Sequence, residues 1–552
     1  MVWRVEARTT AARAVVVRVA LAVVIALGAI AASQVDVKDP PAATAQIGAD
    51  RFQAADQYLQ EQMEQLGLPG VQLAVVEGDQ LVHLAAFGVA DASGRAMTPQ
   101  TPVLLASTSK ALTAVAVMQQ VDAGLLDLNT PVKSYLPWFR TADETKSAQI
   151  TVAHLLNHTA GFSERDGRAY QAADDRSPQS LERGVRDLSD AVLVDDPGKN
   201  FTYSNLNYDI LGLLVQSVTG ESFAQYMKLY VFTPLQMADS HASADYAAAN
   251  GAAHGYYQWF SAVWHPADMP VPSMGAPSST MYSSAEDLSR LLIAELSGGR
   301  YAGRAIVSPE SAAALLKPTV TVDSFSSYAM AWFGRPLWEA LDPVAPREQW
   351  YGLPLVLEHT GSWSNTQSFL AMVPGERLGV VLLVNGASQS TASLARAMDS
   401  NILRILHGKA PVPAEIREEP LQQYGWAVAL LALLAELVSL GFVGRAMYRW
   451  GRSGRPVPGR RIAAVGVLPL LLDAAILWLG LVYIPNHFDA DLPVIVRTVP
   501  DAGLFIVPAL VLAAAWAIVR TALAAWLWFR SRAAAPGPSP TGPLPHPTSG
   551  FP

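Results

Sequence analysis

The sequence predicts an α+β domain followed by a three-helix membrane domain, and three observations carry this. Strand-like runs occur early, in VQLAVVEGDQLVHLAAFGVAD, and late, in YAMAWFG and SFLAMVPGERLGVVLLVNG. The stretch between them reads as mostly helical, so one sheet is built from both ends of the domain. Three long apolar stretches, at about 424–443, 462–484 and 503–529, then crowd the C-terminus. Each is long enough to cross a bilayer.

The 552 residues are long enough for more than one domain, and with 51% hydrophobic and 16% charged residues the chain is apolar for a purely soluble protein. It has no cysteine, which excludes disulfides, cysteine nucleophiles and thiolate metal sites. A net charge of −8 gives no support for nucleic-acid binding.

Residues 1–33 carry Arg4, Arg8, Arg13 and Arg18, then the apolar run VALAVVIALGAIAA. As a helix this run spans only about 21 Å, short of a hydrocarbon core of about 30 Å. It is therefore expected to be a signal peptide, or else an uncleaved anchor. Residues 34–50 read as a polar, Pro/Ala-rich linker. From Arg51, RFQAADQYLQEQMEQLG has Phe52, Tyr58, Leu59, Met63 and Leu66 near helical spacing. The two strands that follow turn at Glu77-Gly78-Asp79. A helix is expected to start at Ser107 and stop at Gly124, where glycine is a C-terminal signal. The late hairpin turns at Pro374-Gly375, and ARAMDSNILRILHG reads as a closing helix, ending the domain near residue 410.

Between the first two apolar stretches stand Arg445, Arg449, Arg452, Arg455, Arg460 and Arg461. Between the second and third stand Asp489, Asp491 and Asp501 with a single Arg497, and Arg530 and Arg532 follow the last. The excess of arginine places the first loop and the tail in the cytoplasm and the second loop outside. The membrane region is thus expected at 422–530, followed by a disordered Pro-rich tail at 531–552. Glu436 and Asp473 fall within spans, as interior contacts or functional residues. For Glu436 a position near a membrane face is the preferred reading.

Three motifs carry chemistry. Lys110 is the only lysine with serine at minus three, in ASTSKALTAV. On a helix Ser107 and Lys110 share a face. Tyr203 is the only tyrosine that starts Y-x-N, in FTYSNLNYDILG, and His359 the only histidine that starts H-x-G, in LEHTGSWSN. His154 and His158, four apart in AHLLNH, lack the glutamate of a zinc-protease helix, so a structural helix–turn is expected and no metal site.

The order S-x-x-K, Y-x-N, H-T-G resembles the serine β-lactamase and penicillin-binding-protein family, in its class C β-lactamase and DD-carboxypeptidase branch. LPGVQLAVV, STSKALTAVAVMQQVDAGLLDLNTPVKSYLP, ITVAHLLNHTAGF, FTYSNLNYDILGLLVQSVTG and MYSSAEDLSRLL carry the likeness, over about 51–408. It implies an antiparallel sheet flanked by helices plus an all-helical subdomain, and a serine acyl-transfer mechanism without a cofactor. Ser107 is the implied nucleophile, with Lys110 or Tyr203 the base. Tyr203 relays protons, and Asn205 contacts Lys110 and substrate. His359, Thr360 and Gly361 form a strand edge for the substrate backbone, and the N–H groups of Ser107 and Ser362 form an oxyanion hole. A lysine works as base only if its pKa is pulled down, as burial can do.

Most β-lactamases have lysine where His359 stands, and a histidine is mostly neutral at pH 7. H-T-G is similar to the third motif of D-alanyl-D-alanine carboxypeptidases, D-aminopeptidases and related esterases. A signal peptide, such a peptidase and three spans together look like the prodrug-maturation peptidases that remove an acyl-D-amino-acid cap. The expected function is hydrolysis of small peptides or peptidoglycan-like substrates next to a D-amino acid. The enzyme would be held by membrane lipid, with its catalytic domain outside the cytoplasm. An esterase or weak β-lactamase of the same fold, or a slowly deacylating sensor, are the rivals. The sequence leaves the oligomeric state open.

Overall fold

The computed structural model describes residues 50–342, 354–387, 392–413, 420–453, 457–467 and 469–533. The expected signal peptide, nearly all of the linker and most of the tail lie outside these residues. The described chain divides into two compact units. One runs up to Trp426 and also takes in Pro485–Gly503; the other comprises Ala427–Ile484 and the residues from Leu504 on.

The first unit opens with helix α1 (Arg51–Leu66), where the Asp50 side chain accepts from the Phe52 and Gln53 amides and Gly67, at φ 63°, ends the helix. Strands β1 (Gly70–Glu77) and β2 (Gln80–Gly88) follow as a hairpin. Much later come β3 (Val320–Thr321), β4 (Ser327–Ala329), β5 (Trp332–Pro336), β6 (Leu355–Trp363), β7 (Thr366–Val373) and β8 (Leu378–Val384). Together they form an antiparallel sheet in the order β2-β1-β8-β7-β6-β5-β4-β3. The run YAMAWFG, read as one strand, is two: Ala331, at φ 82°, reverses the chain between β4 and β5.

The central strands are apolar on both faces because both are covered. Leu73 and Val75 of β1, Phe369 and Ala371 of β7, and Val380 and Leu382 of β8 pack with α1 and the closing helix. Their neighbours Ala74, Leu370, Met372, Val381 and Leu383 face the opposite way, into the core of the helical region. That alternation is the two-residue period of a strand. The helical region contributes α2 (Ser109–Asp122), α3 (Glu164–Arg168), α4 (Asn205–Thr219) and α5 (Ala285–Leu296); the closing helix is α6 (Ala392–Leu406). The α-helix expected from Ser107 begins two residues later. Ser107 lies in a 3₁₀ turn, Ala106–Thr108, and Ala106 before it has φ 49°, a left-handed conformation rare for a residue with a side chain.

The second unit holds most of three helices long and apolar enough to cross a membrane, within Gln423–Ser453, Gly459–His487 and Pro500–Arg530. They include α7 (Pro420–Ser453), α8 (Leu470–Trp478) and, after the short α9 (Leu492–Thr498) of the first unit, α10 (Pro500–Ala533). Glu436 is an interior contact of these helices. It is 0% exposed, with Oε2 3.5 Å from Arg520, whose Nη1 donates to Asp473 Oδ1 at 2.8 Å. A carboxylate among apolar helices is drawn to the buried Arg520 guanidinium, which bears out the interior contact weighed for Glu436 and Asp473.

Candidate active site

The site lies where β6 passes the Ala106–Thr108 turn. Pairing of β6 with β5 stops at Glu358, so among the described strands residues from His359 on pair only with β7. That leaves the margin of β6 beside the turn open. Hydroxyls lash the turn to β7: Thr108 Oγ1 lies 2.8 Å from Ser368 Oγ, Ser368 donates to Leu105 O, and Thr366 Oγ1 donates to Leu104 O at 3.1 Å. Gly361 permits this approach. A Cβ there would stand 2.1 Å from Leu105 O and 3.1 Å from Ser107 N.

Ser107 is half-buried. Lys110, on the first turn of α2, is fully buried. Its ammonium donates to Asn205 Oδ1 and to Ser278 O, both at 2.8 Å, and stands 4.8 Å from the centre of the Tyr203 ring. Burial pushes Lys110 down to about 7, against the pull of Asp209 and Glu164. Burial pushes the Tyr203 phenol well above its ordinary value. At neutral pH, then, the lysine is partly an amine while the tyrosine remains a phenol.

His359 is on the face of β6 turned toward the helical core. It is 1% exposed, with its ring 5.7 Å from Phe333 and 6.3 Å from Tyr203, centre to centre. Nδ1 is 2.8 Å from Thr360 O. Burial, with the Lys110 charge nearby, pushes its pKa down to about 3, so the imidazole is neutral throughout the physiological range. Thr360 is half-buried and Ser362 exposed along the open margin.

The structure thus brings Ser107, Lys110, Tyr203, Asn205, His359 and Gly361 together, and adds residues that sequence reasoning missed. Tyr170 OH accepts from Asn205 Nδ2 at 3.2 Å and lies 2.5 Å from Ser279 Oγ and 3.2 Å from Ser278 Oγ. Asp209 is fully buried, and burial pushes it up to about 8. It lies one turn beyond Asn205 on α4, a spacing that FTYSNLNYD displays. His158 is fully buried, 4.4 Å from the Tyr203 ring, with Nδ1 2.8 Å from Asn207 Nδ2. His154 instead joins Thr151 in a capping box. The two histidines therefore serve different local structures. Tyr170 falls in a segment with no motif to mark it.

Comparison with known proteins agrees with this architecture. The family model described as beta-lactamase matches residues 55–401. The chain is 31% identical over 326 residues to penicillin-binding protein 4 of Amycolatopsis lactamdurans, covering 58% of this chain and 81% of that protein. It is 26% identical over 442 residues to protein flp of Staphylococcus aureus, covering 77% and 81% respectively. Among solved structures, a D-alanine carboxypeptidase AmpC of Burkholderia cenocepacia superposes with a TM-score of 0.52 at 22% identity, over 65% of this chain and 99% of its own. A penicillin-binding protein homologue from Pyrococcus abyssi gives 0.54 at 21%, over 69% and 81%.

Proposed function

The chain belongs to the beta-lactamase family, and from that premise we propose a membrane-anchored serine hydrolase that cleaves amides beside a D-amino acid through an acyl-enzyme. The observation that carries the reading is Lys110, three residues after Ser107: it is fully buried, pushed down to about 7, held by Asn205 Oδ1 at 2.8 Å and placed 4.8 Å from the centre of the Tyr203 ring. Ser107 Oγ attacks the substrate carbonyl while its proton passes to the Lys110 amine. Tyr203, kept a phenol by burial, donates to the departing nitrogen as the C–N bond breaks and recovers its proton from Lys110. Water then hydrolyses the ester by the reverse relay. The open margin of β6 at Thr360–Ser362 aligns the substrate backbone, and Ser107 and Ser362 amides hold the oxyanion. The catalytic unit faces outside the cytoplasm, in keeping with the arginine-rich first loop.

His359 bears on the choice of substrate. A neutral, buried imidazole supplies no cation for a terminal carboxylate, which favours internal amides, such as an acyl-D-amino-acid cap, or esters. Ser107→Ala in the full-length protein tests the reading: covalent labelling by a fluorophosphonate probe should vanish while the thermal unfolding midpoint is retained. Persistent labelling would remove Ser107 as nucleophile.

A further inference from the structure

Pro485–Gly503 joins two apolar helices, taking in the end of one and the start of the next, yet it groups with the compact unit that holds the site. Two anchors hold it there. At one end Arg165 on α3 donates to Pro485 O at 2.8 Å and Asn486 Oδ1 at 3.0 Å, and lies 3.3 Å from Asp489 and 3.7 Å from Asp491. Arg168 adds a bond to Phe488 O at 3.3 Å, and α9 packs on the Ala169–Ala172 turn that carries Tyr170. At the other end Asp501, 3% exposed, accepts from Tyr257 OH at 2.8 Å and Phe260 N at 2.9 Å.

Both anchors lead to the site. Helix α3 abuts the Y-x-N segment so closely that a Cβ on Gly167 would stand 2.6 Å from Ser204 Oγ and 2.7 Å from Asn205 N. Tyr170, in the next turn, occupies the Asn205 amide donor. Tyr257 packs in one cluster with Ala106 and Trp363, which flank Ser107 and Ser362 in the chain. The segment therefore ties the wall behind Asn205 to the wall beside Ala106.

We propose that Pro485–Gly503 is a positioning element of the hydrolase, a strap that sets the spacing of these two walls and so selects substrates that fill the cleft between them. This rests on the serine-hydrolase reading. Small acyl groups that reach only Ser107 do not use the spacing. Peptides that extend along Asn205 and β6 do, and a displacement of about 1 Å can cost up to about a hundredfold in rate.

The test uses the full-length protein in detergent, with Arg165→Ala and Asp501→Asn made separately so that one variant remains if the other misfolds. Two substrates are compared: p-nitrophenyl acetate and an N-acyl-D-alanyl peptide amide. The expected result is roughly a ten- to hundredfold loss of kcat/KM on the peptide, with ester turnover within about twofold of wild type. Equal effects on both substrates, whether none or large, would overturn the strap. Fluorophosphonate labelling of wild type that depends on Ser107 separates the two ideas, because its absence defeats the hydrolase reading rather than the strap.

Discussion

Lys110 is a cation placed where a cation is poorly solvated. Its partners are an amide oxygen and a backbone carbonyl, not a carboxylate in contact, so they hold the amine without restoring the charge. A base must be neutral to act, and with Lys110 pushed down to about 7, kcat/KM should rise with pH along a single-proton limb centred near 7. His359, pushed down to about 3, adds no limb between pH 5 and 8. Lys110→Arg should lose activity nearly as completely as Lys110→Ala, at least about a hundredfold, because guanidinium stays protonated at any workable pH. Steady-state turnover across pH 5 to 9 checks both expectations. A Lys110→Arg enzyme within a few-fold of wild type would reduce Lys110 to an electrostatic support. The motif residues were legible because each occurs in a pattern found once in the chain. Asp209, Tyr170 and Ser278 were not, since a lone carboxylate, phenol or serine is distinguished only by what the fold packs around it.

At the scale of elements, the hydrophobic period exposed α1, the early hairpin, the late hairpin and the closing helix. Those segments bury one stripe or two full faces, and their turns carry Gly67, Gly78 and Pro374-Gly375. Less visible was the tight reversal at Ala331 inside YAMAWFG, where a left-handed φ is imposed on a residue that does not announce it. The 3₁₀ start at Ser107 was likewise hidden, because it is fixed by contact with β7, far away in sequence. The approach of β6 to that turn depends on Gly361. In Gly361→Ala the new methyl would meet Leu105 O and Ser368 Oγ at 2.1 and 2.2 Å, so the strand must withdraw. Overpacking of this kind costs about 1–3 kcal/mol. The withdrawal should also enlarge the gap between Ser107 N and the Ser362 amide, lowering kcat by about 10²–10³, the scale of one lost oxyanion donor. A thermal midpoint measured beside kcat separates the two effects. Full activity in a destabilised variant would show that β6 does not need this proximity.

At the scale of the whole molecule, the sequence already displayed the apolar helices, because length and composition suffice to find them. What it could not display is which charges meet inside them, since Glu436, Asp473 and Arg520 come from different helices and no periodicity links them. Arg520 joins all three. It donates to Asp473 Oδ1 and Pro469 O at 2.8 Å, bonds Ser439 Oγ at 2.5 Å, and lies 3.5 Å from Glu436. Removing one member of a buried ion pair leaves the other charge without a counterion, at about 3–5 kcal/mol. Arg520→Ala strands two carboxylates and should therefore lower the yield of folded protein in membranes sharply. Glu436→Gln removes one negative charge and keeps the shape, so it should fold as well as wild type. Arg520→Lys keeps the cation but not the planar fork that reaches two helices at once, and should fall between them. Thermal unfolding of the purified protein in detergent ranks the three. If Arg520→Ala matched wild type there, the cluster would be incidental to the packing of these helices. If Glu436→Gln proved the worst of the three, Glu436 rather than Asp473 would be the essential partner of Arg520.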